Sequence, residues 1–493
     1  MQDVRPLEDW CAAALNRPSS QAAIEFEGRW YTWGELRRVA DHVAALLQTS
    51  AVPPEAPVAF MPRNHPDAVA ALLGLLARRR TVRMIYAFQS PSAIARNLER
   101  LAAPIFVAAR ADFSEPVVST LRAQGGIGIA LDATGASLPA DSDAAPRGEP
   151  AAGEAAPRIE ILTSGTTGAP KPFAVSYELI ARHFLGAPAG DLSSAPPTLL
   201  FFPLGNISGL YSTLPPLLKG QRAVLLERFT VAGWHDYLVR YRPQASGLPP
   251  AGVQMVLEAN IPPADLACLR RLGTGAAPLD PTVHRAFEER YRVPILLSYG
   301  ATEFAGPVAA MTEELHSVWG QSKFGSVGRA LPGARLRIVD PDSGAVLPPG
   351  TEGVLEVVSP RIGAQWIRTS DIALIDSDGF LFHRGRRDSA IMRGGFKILP
   401  ESIERTLMLH PAISAAAAVG VPHERLGQVP AVAIQLKPSL AAPTVSELEA
   451  LVREHLPATC VPVHWRFVDQ LPRTPSLKVE QAEVRKLFEA TAG

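Results

Sequence analysis

Ile161-Leu162-Thr163-Ser164-Gly165-Thr166-Thr167-Gly168-Ala169-Pro170-Lys171 is the stretch on which the reading of this chain turns. A strand-like apolar run breaks into a turn crowded with hydroxyls and glycines. Gly165 and Gly168 allow close approach to the backbone, and the amides and hydroxyls can donate to polyphosphate oxygens. The string is not Gly-x-x-x-x-Gly-Lys-Ser/Thr, because no Lys-Ser/Thr follows its second glycine, so a Walker-type kinase or motor is disfavoured. Outward from it, the apolar runs 104–110, 198–204, 222–228 and 293–300 alternate with stretches of helical period. That order predicts an α/β fold with a buried, largely parallel sheet covered by helices, whose ligands sit beyond the carboxyl ends of the strands. Thr32-Trp33-Gly34-Glu35 has the form of a capping box, and Trp33, Leu36, Ala40, Val43 and Leu47 follow at helical spacing, so a helix begins there.

Composition sets the outer limits. The 493 residues make roughly three domain-sized units. Lys+Arg 48 against Asp+Glu 48 leaves a formal charge of +0, which disfavours a charge-driven nucleic-acid binder. Cys11, Cys268 and Cys460 are scattered and odd in number, without metal or disulfide spacing, so a reducing cytoplasm is expected. The apolar segment 68–77 is far shorter than the roughly 20 residues a membrane span needs, and the N-terminus lacks the pattern of a signal peptide. Neither membrane insertion nor export is expected.

Residues 134–158, rich in Ala, Pro, Gly and Asp, read as an exposed connector inside a large N-terminal domain, 1–387. A second change comes near Arg387. Beyond it, IMRGGFKI, a helix around Ile403 to Leu409, AAAAVGV and VPAVAIQL carry their own alternation, which predicts a small mobile α+β domain over 388–493.

Further motifs follow in order: Gly273-Thr-Gly275-Ala276-Ala277-Pro278, Ser298-Tyr299-Gly300-Ala301-Thr302-Glu303, Trp366-Ile-Arg-Thr369-Ser370-Asp371, Gly385-Arg386-Arg387-Asp388, Arg393-Gly394-Gly395-Phe396-Lys397 and Leu471-Pro-Arg-Thr474-Pro475-Ser476-Leu477-Lys478. Together with the 161–171 string they resemble the adenylate-forming superfamily of acyl- and aryl-CoA synthetases, peptide-synthetase adenylation domains and luciferases, and most resemble a bacterial acyl-CoA ligase. The resemblance runs from the Thr32 helix to Lys478.

It implies ATP-dependent conversion of a carboxylic acid to an acyl-adenylate, then transfer to a thiol. Thr163, Ser164, Gly165, Thr166, Thr167, Gly168 and Lys171 would form the phosphate loop, with Thr166 also catalytic. Gly275, Ala276, Ala277, Tyr299, Gly300 and Thr302 would line the adenine side. Asp371 and Arg386 would hold ribose, and Glu303 would hold Mg²⁺, a hard cation suited to carboxylate oxygen. Lys478 would assist adenylation, Asp388 would be the hinge, and Asn206, Gly209, Ala301, Gly394 and Gly395 would line the acyl pocket or thiol tunnel.

Three residues depart from the superfamily pattern: Pro172 and Leu477 where glycines are usual, and Asn206 where many relatives place a His. The expected small-molecule substrates are a carboxylic acid, ATP and CoA. A carrier-protein phosphopantetheine stays open as the acceptor, and a catalytically silent binding homologue stays open as a reading. The sequence specifies neither the acid nor the oligomeric state. Arg78, Arg79 and Arg80 form a basic turn that either contacts the CoA nucleotide or is simply solvated.

Overall fold

The computed structural model describes residues 4–50, 52–53, 55–132, 135–138, 156–163, 171–186, 192–438, 440–474 and 476–489. The chain forms two compact units, 1–243 and 244–493. Among the described residues no helix is long and apolar enough to cross a membrane.

The first unit contains a seven-stranded sheet in the order Gly135–Ser137, Ile127–Asp132, Ile105–Ala109, Val58–Met61, Val82–Met84, Arg158–Thr163, Lys171–Ser176. Its inner five strands are parallel and each edge strand is antiparallel. The helix Pro66–Ala77 is buried nearly all round, so its apolar run 68–77 belongs to the interior. The predicted capping box is present: the Thr32 hydroxyl accepts from the Glu35 amide at 3.3 Å while the Glu35 carboxylate accepts from the Thr32 amide at 2.8 Å, opening the helix Trp33–Thr49. A second sheet runs Thr198–Leu200, Ala223–Leu225, Ala22–Phe26, Arg29–Thr32, with the first three strands parallel. Of the expected connector, residues 135–137 form an edge strand and Arg158 already starts the next one. Residues 139–155 lie outside the described residues.

The second unit begins with a five-stranded sheet. Ala245–Gly247, Arg271–Thr274 and Ile295–Ala301 are parallel, and Gly306–Ala310 and Arg329–Ala330 add antiparallel edges. Next come four wholly antiparallel strands, Arg335–Val339, Gly353–Val358, Ile367–Ile375 and Leu381–Arg386. The expectation of largely parallel pairing fails here because the links 340–352, 359–366 and 376–380 contain no helix to carry a crossover, so successive strands pair as hairpins.

The last sheet contains Ile391–Arg393, Phe396–Ile398, Ile413–His423, Gly427–Leu436 and His464–Val468. Its two faces are read by alternation. Ile413, Ala418, Val432 and Ile434 pack toward Ile403, Leu407, Leu448 and Val452 of the helices Pro400–Leu407 and Val445–His455. Ala417, Val419, Val429 and Ala431 pack toward Val484 and Phe488 of the helix Gln481–Glu489. Two cores on one sheet explain why this segment carries its own periodicity.

Candidate active site

In the second unit the polar motifs converge from separate elements. Tyr299 and Gly300 lie near the carboxyl end of the strand Ile295–Ala301, where pairing with Gly306–Ala310 shifts register. A side chain at Gly300 would meet the Pro307 Cα at 2.5 Å, so the glycine is required by close strand approach. The Tyr299 hydroxyl donates to Asp371. Burial, with the charge and hydrogen bond of Asp371 adding to it, lifts that phenol well above its ordinary value and keeps it a donor at neutral pH.

Asp371 stands on the strand Ile367–Ile375 directly opposite Arg386 in the ladder. Its carboxylate is 3.3 Å from His383 Nε2 and 3.7 Å from the Arg386 guanidinium. Burial pushes the carboxyl up, yet the hydrogen bonds from His383 and Tyr299 and the charges of His383 and Arg386 outweigh it, and the group titrates below its ordinary value. Asp371 is therefore a charged acceptor at pH 7. Arg386 ties the same region together, donating to the Ser370 hydroxyl at 2.6 Å and to Asp388 at 2.8 Å.

The expected adenine-side residues adjoin Tyr299. Gly275 follows the strand Arg271–Thr274, and a Cβ there would meet the Ser298 hydroxyl at 2.5 Å. Ser298 in turn donates to the Thr274 carbonyl at 3.2 Å, and Ala276 takes φ +67°. Thr302 and Glu303 lie on the short helical turn Thr302–Phe304, with Glu303 exposed and Ala301 just before it. Among the described residues no three metal-ligating side chains cluster. A single exposed carboxylate still fits a Mg²⁺ ion that takes most of its ligands from water and phosphates.

Lys478 is exposed at the surface, with protein atoms packed around its ammonium. Burial lowers its pKa, the like charge of Arg386 lowers it further, and Glu303 opposes both. The segment that presents it is a tight turn: the Thr474 amide donates to the Lys478 carbonyl at 2.8 Å, and Leu477, with φ +63°, occupies the left-handed region that favours glycine. Leu477 thus keeps the backbone shape for which the superfamily commonly uses Gly.

Other sequence-predicted residues have local roles. Asn206 caps the helix Ile207–Leu218, accepting from the Gly209 amide at 2.8 Å, and a Cβ on Gly209 would meet the Pro203 carbonyl oxygen at 2.0 Å. Gly394 and Gly395 form the two-residue turn between Ile391–Arg393 and Phe396–Ile398, both at positive φ, as a primed hairpin turn demands. Thr163 and Lys171 pair across the antiparallel hairpin that frames the hydroxyl-rich loop, and Pro172 lies on its sheet-edge strand, where a missing amide is tolerated. Ser164, Gly165, Thr166, Thr167 and Gly168 fall outside the described residues, as do the side chains of Thr163 and Lys171. Arg78 and Arg79 pair with Asp41 and Glu8, and Arg80 donates to the Pro53 and Ala56 carbonyls, so the basic turn is spent within the fold.

Sequence reading missed His383 and Glu401. Glu401, on the helix Pro400–Leu407, accepts from the Arg386 amide at 3.3 Å. Neither belongs to the motifs quoted above, and only strand register and helix packing bring them to Asp371 and Arg386.

The family profile described as AMP-binding enzyme matches residues 11–364, and the profile of the AMP-binding enzyme C-terminal domain matches 402–478. The chain belongs to the AMP-binding enzyme family. Its similarity to indoleacetate–CoA ligase from Aromatoleum aromaticum is 30% identity across 98% of this chain and 98% of that protein. Sulfoacetate–CoA ligase from Cupriavidus necator is 32% identical, with 71% and 70% of the two chains covered. The fold matches that of the amide bond synthetase McbA from Marinactinospora thermotolerans at a TM-score of 0.78 and 26% identity, over 98% and 100% of the two chains. The chain is thus similar both to proteins named for joining acids to CoA and to one named for making amide bonds.

Proposed function

We propose that the protein is an AMP-forming acid–CoA ligase. It activates a carboxylic acid as its adenylate, releases pyrophosphate, and passes the acyl group to the thiol of CoA. The observation that carries this is the convergence of four separate stretches of chain, in which Tyr299 and Arg386 engage Asp371 while the charges of Arg386 and Glu303 act on Lys478. Full-length similarity to a CoA ligase supports it.

A carboxylate resists attack because it is negatively charged and has no good leaving group. Joining it to AMP supplies the leaving group. In this reading Asp371 accepts the ribose hydroxyls, Arg386 fixes Ser370 and Asp388 beside it, and Tyr299 with Gly275, Ala276, Ala277, Gly300 and Thr302 receives adenine. Ser164 to Gly168, with Thr163 and Lys171, hold the phosphates. Glu303 would hold Mg²⁺, which when bound neutralises charge on the departing pyrophosphate. The Lys478 ammonium stabilises the charge that develops between carboxylate and α-phosphate. A small domain of 388–493 then turns about Asp388, withdraws Lys478 and brings Gly394 and Gly395 to the thiol path, while Ala301 and the Asn206–Gly209 helix start border the acyl group. Three unpaired cysteines and the use of ATP and CoA fit a cytoplasmic site.

The test is ATP–pyrophosphate exchange over a panel of aryl, sulfonated and aliphatic acids, followed by CoA-thioester formation. Lys478→Ala should reduce exchange by about 10²–10³-fold, the loss expected for one oriented charge donor. Exchange unaffected by that substitution would remove Lys478 from the first step. The likeness to an amide bond synthetase favours one second reading, in which an amine rather than CoA takes the acyl group. Supplying amines, or a phosphopantetheinylated carrier protein, in place of CoA separates the acceptors by product mass.

A further inference from the structure

The strand Leu381–Arg386 carries the ribose-side Arg386 and leads straight into Asp388. The helix Pro400–Leu407, first of the C-terminal segment, lies against it. Two side chains of that helix reach the strand. Glu401 accepts from the Arg386 amide at 3.3 Å, and Arg405 donates to the Arg384 carbonyl at 3.3 Å. The Glu401 carboxylate also fills the space a side chain at Gly385 would need: a Cβ there, where φ is +154°, would lie 2.6 Å from one of its oxygens. That oxygen, Oε2, is buried and has no hydrogen-bond partner among the described residues. The groups charged or titratable around Glu401 are His383 and Arg386 on the strand side and Arg405 and Glu404 on its own helix.

We propose that Glu401 is a positioning residue, a catch that fits over Gly385 and holds the C-terminal segment in the orientation that presents Lys478 beside Glu303 and Arg386. The proposal rests on the ligase reading, in which Lys478 must come and go. One oxygen of the catch is satisfied and the other is buried without a partner, so the held orientation is made at an unmet desolvation penalty. A catch of that kind closes and opens readily. A fully satisfied carboxylate would lock the segment, and an alanine would let it drift. Burial, the leading cause, raises the Glu401 carboxyl above its ordinary value, in keeping with a group enclosed by the strand.

The test reads Lys478 without needing the native acid. Competitive labelling of the full-length protein with acetic anhydride across pH, with peptides quantified by mass spectrometry and exposed Lys486 as internal reference, gives the apparent pKa of Lys478. Wild type should titrate below Lys486. Glu401→Ala should move Lys478 up by about one unit, toward an ordinary solvated lysine. Glu401→Gln, which keeps the acceptor for the Arg386 amide, should behave as wild type. Gly385→Ala, which expels the carboxylate by a different route, should reproduce Glu401→Ala and guards against a folding defect in one variant.

An unchanged Lys478 titration in both Glu401→Ala and Gly385→Ala overturns the catch. So does an equal change in the labelling of Lys397 and Lys437, which would report general loosening. The ligase reading is judged separately, by the exchange activity of Lys478→Ala, so either can fail alone.

Discussion

At the scale of single residues, two side chains carry tension that can be measured. Glu404, on the helix Pro400–Leu407, is partly buried against the small sheet and accepts a hydrogen bond from the Ala418 amide at 2.8 Å. Burial pushes its carboxyl from 4.5 up to about 8. Because the folded value lies above the unfolded one, the neutral form is favoured by folding, and stability is lost as pH rises from about 4.5 through about 8. Thermal melts of Glu404→Gln should therefore cross those of wild type, the variant being the more stable at pH 9. The second tension is at Leu477, held at φ +63° beside Lys478. Leu477→Val puts a β-branched residue in a left-handed conformation that Leu already occupies under strain and should lower stability further, read by chemical denaturation. Exchange should fall with it if this turn sets the lysine. Glycine at the same position should retain activity. The departure from the superfamily's glycine is thus absorbed by backbone strain, a fact that composition and spacing do not contain.

At the scale of elements, the departures at Asn206 and Pro172 have ordinary physical explanations. Asn206 is the N-cap of Ile207–Leu218, satisfying the otherwise orphaned Gly209 amide. Asn206→Ala should destabilise the protein by about 1 kcal/mol, while Asn206→Asp or Asn206→Ser should recover the loss, with urea midpoints as the measure. Gly209→Ala should be worse than Asn206→Ala, because its Cβ would fall 2.0 Å from a backbone oxygen that cannot move independently of the turn. Pro172 sits on a sheet edge, the place where a strand tolerates proline. The capping box at Thr32, the strands at 105–109 and 295–301 and the alternation of the last hundred residues were all legible beforehand, since local periodicity and capping chemistry depend only on neighbours in sequence. The antiparallel run 335–386 was not read, because its strands are defined by their cross-strand partners rather than by neighbours in sequence.

At the scale of the whole molecule, the ligase reading demands that one segment serve two steps. Asp388 lies in the short helical turn Arg387–Ser389 and is held by Arg386 at 2.8 Å. Asp388→Pro should restrict rotation there, leaving ATP–pyrophosphate exchange largely intact while slowing thioester formation about tenfold or more, equivalent to about 1.4 kcal/mol on that barrier. Equal loss in both half-reactions would argue against alternation about this residue.

The amino-acid order by itself determined the family, the helix-covered α/β character and the candidates Tyr299, Glu303, Asp371, Arg386 and Lys478, because each lies in a short contiguous motif that can be read from neighbours in sequence. Tertiary structure alone decided that His383 and Tyr299 hold the charge on Asp371, that Glu401 packs against Gly385, and that Arg386 and Glu303 pull the pKa of Lys478 in opposite directions. Those facts arise from distances between residues far apart in the chain. Hydrogen bonding, desolvation and Coulomb energy act through space, so no reading of local pattern can supply them.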